Sequence, residues 1–227
     1  GGSDYFRYVI NGTPRSKAEG AQLREQIKNH KDLPYLPGTT LKGAIRTSLA
    51  WHAWGLRKLT PQVSELGPQP KFAAQKYEHK LLGRNPNHDL LRAVQISDSI
   101  PVNADRLFVA NARVLHRNGA LASPIEMEAL LPDTSFNLTI KLDFMLFSEW
   151  AQQRDLQLTG RGWLARLPQI MQARAQTRID QELRWLKESR ETTALLQFYQ
   201  QLHEAQLSSN QFLVQIGWGT GWEDKTL

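Results

Sequence analysis

Residues 135–147, SFNLTIKLDFMLF, alternate apolar and polar side chains over most of their length. Phe136, Leu138, Ile140, Leu142, Phe144 and Leu146 fall on one side, and Asn137, Thr139, Lys141 and Asp143 on the other. Successive side chains of a strand point to opposite faces, so a period of two predicts one long strand, Ser135 to Phe147, with one solvated face. Upstream, Ile125, Met127 and Ala129 alternate with Glu126 and Glu128, which places both glutamates on a wet face. Arg106 to His116 is another strand candidate, with Phe108, Ala110, Ala112 and Val114 together. Asn118-Gly119 and Pro132-Asp133 are short turn signals, and short connections predict antiparallel neighbours. Phe212 to Ile216 reads as a last short strand.

Helical spacing flanks this strand-rich middle. After the turn signal PYLPG at 34–38, Thr39 or Thr40 is placed to cap a helix over Leu41 to Trp54, with Gly55 as its stop. That helix carries Leu41, Ala44, Ile45, Ser48, Leu49 and His52 on one side. Arg15 to Asn29 carries a weaker helical pattern interrupted by Gly20. Residues 60–88, rich in Pro, Gln, Lys and Asn, read as an insertion with a short helix near Phe72 to Leu82. Gly160 to Pro168 reads as a break, and 150–210 as a helical subregion. Within it Ile179, Leu183 and Leu186 recur at helical spacing, as do Leu195, Phe198, Tyr199, Leu202 and Ala205. The fold class expected is α/β (α+β), in one elaborated domain over 1–227.

Composition bounds the function. The chain has 227 residues, 41% hydrophobic and 22% charged, enough to bury a core. No run of 18 apolar residues occurs, so no membrane partner is expected. Cysteine is absent, which excludes disulfides, thiolate metal sites and a cysteine nucleophile and fits a reducing cytoplasm. The net charge of +6 permits an anionic partner without establishing one.

Three segments carry candidate chemistry. In PGTTLKGAIRTS, Pro37 to Ser48, a loop leads into a helix N-terminus, whose amides and dipole attract phosphate. Lys42 and Arg46, four apart, project from nearly the same side, and Gly38 and Gly43 keep the surface low. The same features also describe a capped helix with two solvated cations. In GWGTGW, Gly217, Gly219 and Gly221 can expose amides to an anion, while Trp218 and Trp222 offer rings to bases. A tight turn with two core tryptophans fits equally well. The arginine excess of 154–190 is either an electrostatic footprint for nucleic acid or the wet face of amphipathic helices. No histidine pair has metal spacing. His52 is the one candidate general acid or base, and Asp98 in ISDS reads as a turn residue. No cofactor and no metal are expected.

Four segments in order resemble one family. LPGTTLKGAIRTSL at 36–49 resembles the "IPGSSLKGAIRT" signature of the RAMP superfamily of CRISPR proteins. ISDS at 96–99, IEMEALLPDTSFNLTIKLD at 125–143 and IGWGTGW at 216–222 resemble elements of the branch that caps the 3′-end side of the CRISPR RNA (crRNA) in type III-A (Csm) effector complexes. The resemblance implies a ferredoxin-like (RRM-like) domain with an antiparallel sheet. It implies a subunit without catalysis of its own that holds crRNA and abuts a backbone RAMP subunit and other Csm-type subunits. It also implies support of crRNA maturation, and so of antiviral defence, through recruited host nucleases. Family members usually open on a strand with a GxG segment, which is expected to be missing here. The residues expected on RNA are Gly38, Thr39, Thr40, Lys42, Gly43, Arg46, Gly217, Trp218, Gly219, Thr220, Gly221 and Trp222. The alternatives are a metal-independent CRISPR RNA-processing endoribonuclease that uses His52, a type III-B (Cmr) RAMP subunit, and a protein–protein assembly module.

Overall fold

A computed structural model describes residues 6–15, 18–69, 72–116, 118–188 and 193–220. Their contacts divide into two units. One contains the chain up to Gly38 together with Ser97–Thr139. The other contains Thr39–Ile96, Ile140–Glu188 and the chain after Thr192.

The first unit is built on strands β2 (Leu107–Ala112) and β3 (Ile125–Leu130), paired antiparallel with Leu107 opposite Leu130 and Ala112 opposite Ile125. The Asn118-Gly119 turn closes their hairpin, where His116 N–H donates to Ala120 O at 2.8 Å. The N-terminal segment borders both strands. Val109 N–H donates to Asn11 O, and Arg24 and Glu126/Glu128 exchange backbone bonds. Among the described residues of Arg15 to Asn29 the expected helix does not form, because backbone groups of Arg24 are used along the edge of β3. The covered face also corrects the reading of Glu128. It is 4% exposed, beneath the N-terminal segment, rather than on a wet side.

The second unit holds α1 (Gly38–Arg57), α2 (Gln75–Leu82), the short pair β1 (Val94–Ile96) and β4 (Ile140–Leu142), and then α3 (Glu149–Gln152), α4 (Arg161–Ala165), α5 (Leu167–Glu188) and α6 (Thr193–Glu204). The α1 stripe predicted from spacing is present: Leu41, Ile45, Ser48 and Leu49 are buried, and Ile45 and Leu49 are fully so. The helix runs through Gly55 to Arg57 and ends where Lys58 adopts a left-handed φ of 47°. Tyr77, Leu81 and Leu82 of α2 are buried, and Tyr77 meets Trp54 at 5.2 Å between ring centroids, so the predicted insertion is packed onto α1. The expected break at Gly160–Pro168 contains α4, and Pro168 sits in the first turn of α5, where its missing N–H costs nothing. On α6, Leu195 and Phe198 stay exposed while Leu196, Tyr199 and Leu202 turn partly inward, a rotation from the predicted stripe.

The long strand predicted over 135–147 is cut to Ile140–Leu142. Asp143 ends it: its carboxylate accepts the Met145 N–H at 3.0 Å and starts a 3-10 turn, Phe144–Phe147. Residues 137–139 instead bond to Ser97 and Ile100. The Pro132-Asp133 turn thus leads away from β3 rather than back along it, and β3 and β4 are not neighbours. Phe212 to Ile216 forms no strand; Leu213 N–H is taken by the Gln172 side chain at 2.9 Å.

Candidate nucleic-acid interface

Within the first unit, the PYLPG turn and the ISDS segment interlock. The N–H of Ser99, a buried residue, donates to Leu36 O at 3.0 Å, and its hydroxyl accepts the Leu36 N–H at 2.9 Å. Asp98 Oδ1 accepts the N–H of Gly38, first residue of α1, at 2.8 Å. Two motifs sixty residues apart are therefore one structural device. Asp98 supplies the cap expected of Thr39 or Thr40, which lie inside the helix instead. A carboxylate at a helix N-terminus also opposes the positive end of the dipole favourably. Asp98→Ala is expected to cost about 1–2 kcal/mol, and Asp98→Asn, which keeps the acceptor, less than half of that. Chemical denaturation of the two variants measures it.

The two cations of α1 are engaged. Lys42 Nζ donates to Val94 O at 2.7 Å. Arg46 bonds Asp89 at 2.7 Å and Glu78 at 3.1 Å. At ~100° per residue, Lys42 and Arg46 lie roughly opposite Ala44, Thr47 and Ser48 on the helix. Those three line a groove of about 350 Å³ with α5, α6 and Leu213, Val214 and Gln215, the residues just before the glycine loop. The cations and the approach to the loop thus face different sides of α1, which separates groups the sequence reading joined.

The loop itself is open. Gly217 and Gly219 have φ of 88° and 84°, a left-handed region that glycine enters without strain. Gly217, Trp218 and Gly219 are exposed, Trp218 to 45%. Thr220 is 7% exposed, and its Oγ1 has no partner among the described residues. At α1, Thr39 and Gly43 are exposed and Gly38 is buried. Gly221 and Trp222 lie outside the described residues.

His52 is packed, not presented. Its ring meets Trp163 edge-on at 6.0 Å, and Nε2 is buried without a partner among the described residues. Burial, and then the nearby Arg166, lower its pKa, so it is neutral at pH 7. In the arginine-rich stretch, Arg178 pairs with Glu182 at 3.0 Å, whereas Arg154 and Arg161 stand over aromatic rings. Spacing did not reveal the exposed ring of Phe144, because a strand was expected where a turn forms. No helix is long and apolar enough to cross a membrane among the described residues.

Helices and short antiparallel ladders, with an ISDS-clamped helix start and a left-handed glycine loop, define a particular class of α/β protein. A family model of the RAMP superfamily matches residues 2–223, and the chain belongs to that superfamily. It is similar to the "CRISPR system Cms protein Csm5" of Methanocaldococcus jannaschii, 25% identical over 149 residues, which cover 64% of this chain and 35% of that protein. The chain thus spans about a third of the length of this curated relative. The crystal structure of T. onnurineus Csm5 matches at a TM-score of 0.68 with 22% identity, covering 97% of this chain and 70% of the other. A chain of a cryo-EM Csm–crRNA–target RNA ternary complex from a type III-A CRISPR–Cas system matches at 0.61 with 20% identity, covering 92% and 63%.

Proposed function

We propose that this chain is a non-catalytic crRNA-binding subunit of a type III-A (Csm) complex, on the 3′-end side of the crRNA, working in the cytoplasm. The observation that carries this is the exposed loop at Gly217–Gly219, with its half-open tryptophan and, beside it, the buried hydroxyl of Thr220, which has no partner among the described residues. Backbone amides and a ring of this kind hold a nucleotide chain without reading its letters, as a subunit that accepts many spacers requires. The similarity to proteins named Csm5 supports type III-A over type III-B. Its partners on this reading are crRNA, a backbone RAMP subunit, other Csm-type subunits and recruited nucleases.

Thr39, Thr40 and Gly43 at the start of α1 contribute backbone and hydroxyl contacts. Gly38, buried and donating to Asp98, contributes by fixing that start. Lys42 keeps two N–H groups beyond its bond to Val94. Arg46 is neutralised by two carboxylates and acts on the fold instead. The test is a gel shift with crRNA carrying its 3′ repeat-derived end, at two salt concentrations. A Trp218→Ala, Thr220→Val variant should bind about ten-fold more weakly, since a stacked base is worth ~1–3 kcal/mol. Arg46→Ala should leave the salt slope unchanged. Equal binding by the loop variant overturns the assignment.

The enzymatic alternative is disfavoured by the packing of His52 against Trp163. Repeat RNA incubated with the protein without metal is expected to stay intact. Specific cleavage that His52→Ala abolishes would reverse this conclusion.

A further inference from the structure

The second unit exposes another set of rings, between the 125–143 motif and the arginine-rich stretch that starts at Arg154. Phe144, Met145 and Trp150 are 39%, 59% and 45% exposed. Ser148 links them: its hydroxyl and N–H both donate to Met145 O, and its own carbonyl accepts the Gln152 N–H of α3. The 3-10 turn with Phe144 and Met145 therefore runs directly into the helix carrying Trp150. Large apolar side chains concentrated in so short an exposed stretch mark an interaction surface.

Charge identifies the partner. The Arg154 guanidinium lies 4.3 Å from the Trp150 ring centroid, and that of Arg161 lies 5.8 Å from the Phe144 ring. Neither guanidinium forms an ion pair with a carboxylate among the described residues. Asp155, next to Arg154, is instead held by Arg84 at 3.1 Å. Trp150 stays 45% exposed even with an arginine over it. Open rings beside unneutralised guanidinium groups match a partner that is both anionic and aromatic. A protein partner offering carboxylates would satisfy the arginines but not the rings. Unpaired nucleotides satisfy both at once.

We propose that Phe144, Met145, Trp150, Arg154 and Arg161 form a second nucleotide-holding surface that stacks unpaired bases of single-stranded RNA. The inference rests on the RNA-binding reading above and extends it to residues outside the glycine loop and the start of α1.

The experiment measures binding of a fluorescein-labelled oligouridylate to the whole chain as salt is varied, for the wild type, Trp150→Phe and a Trp150→Ala, Arg154→Ala variant. All three side-chain changes are at exposed positions, and circular dichroism confirms that each variant is folded. The double variant should bind about ten-fold more weakly. Its slope of log affinity against log salt should fall by roughly 0.7, the share of one phosphate contact on a single strand. Trp150→Phe, which keeps a ring, should retain most of the affinity. If the wild type binds no RNA at low salt, the parent reading fails. If the wild type binds and the double variant matches it in affinity and slope, this inference alone fails. It also fails if duplex RNA binds equally well and loses equally. A double variant that keeps its RNA affinity but no longer enters the assembled complex makes the surface a protein interface, which also overturns the proposal.

Discussion

Glu128→Ala is expected to destabilise the first unit by about 3–5 kcal/mol, the usual result of removing one partner of a buried ion pair. The Glu128 side chain is 1% exposed and that of Lys28 4%, and their charged atoms are 2.5 Å apart. Tyr8 Oη donates to Glu128 Oε1 at 2.6 Å, and the Gln26 N–H donates to Oε2 at 2.8 Å. Lys28 Nζ also donates to Tyr8 Oη and lies 4.4 Å from the Tyr8 ring centroid. The alanine variant leaves the ammonium buried without its main counter-charge and releases the N-terminal segment from β3. Thermal unfolding should show a drop on the order of 10 °C. Replacing both partners by apolar residues, Lys28→Met with Glu128→Leu, should recover much of the loss. A shift for Glu128→Ala no larger than that of an exposed substitution would contradict the buried network.

The same pair sets a pH dependence. Burial alone would raise the Glu128 pKa, but the bonds from Lys28, Tyr8 and the Gln26 amide outweigh it and hold the carboxyl below its ordinary value. Burial alone would lower the Lys28 pKa, and the bonds to Glu128, Tyr8 and Glu25 outweigh that and raise it. A depressed carboxyl contributes stability that is present above its unfolded pKa, about 4.3, and is lost as pH falls through the folded value. A raised ammonium contributes stability that is present below about 10.4 and lost as pH rises through its folded value. Stability should therefore be flat across neutral pH and fall at acid pH, less steeply in Glu128→Gln than in the wild type.

Gly83→Ala is expected to be nearly as damaging, at about 2–5 kcal/mol from backbone strain plus overpacking. Gly83 closes α2 at φ 140°, where an L side chain is strained, and an added Cβ would stand 1.9 Å from the His88 carbonyl oxygen. That obstacle is backbone, so no side-chain rotation relieves it. The chain from Gly83 leads through the 3-10 turn Pro86–His88 to Asp89, one of the two carboxylates on Arg46. The variant should loosen the far side of α1 as well, with faster hydrogen exchange at the Leu90–Ala93 amides. Wild-type stability and exchange would show that the close approach does not constrain the loop.

Legibility in the sequence followed the range of the interactions. The buried stripe of α1 was readable because Leu41, Ile45, Ser48 and Leu49 repeat at the helix's own period, whatever they pack against. The helical existence of α2, α5 and α6 was readable for the same reason. The strand over 135–147 was not, because alternation marks faces but does not register a side chain that captures a backbone amide, as Asp143 does. Glu128 was misplaced because its alternation is real, but the face it occupies is covered by a segment a hundred residues earlier. The roles of Lys42 and Arg46 depended on Val94, Asp89 and Glu78, none of which lies near them in the chain.

Local order thus set what each segment can become: a capped helix start, a glycine loop free to turn left-handed, a strand-forming middle, and the four motifs by which the family was recognised. Tertiary structure alone decided which polar groups remain available to a ligand. A cation's availability depends on whether a distant carboxylate or carbonyl has already taken it, and that is a matter of proximity in space, which periodicity and composition do not encode.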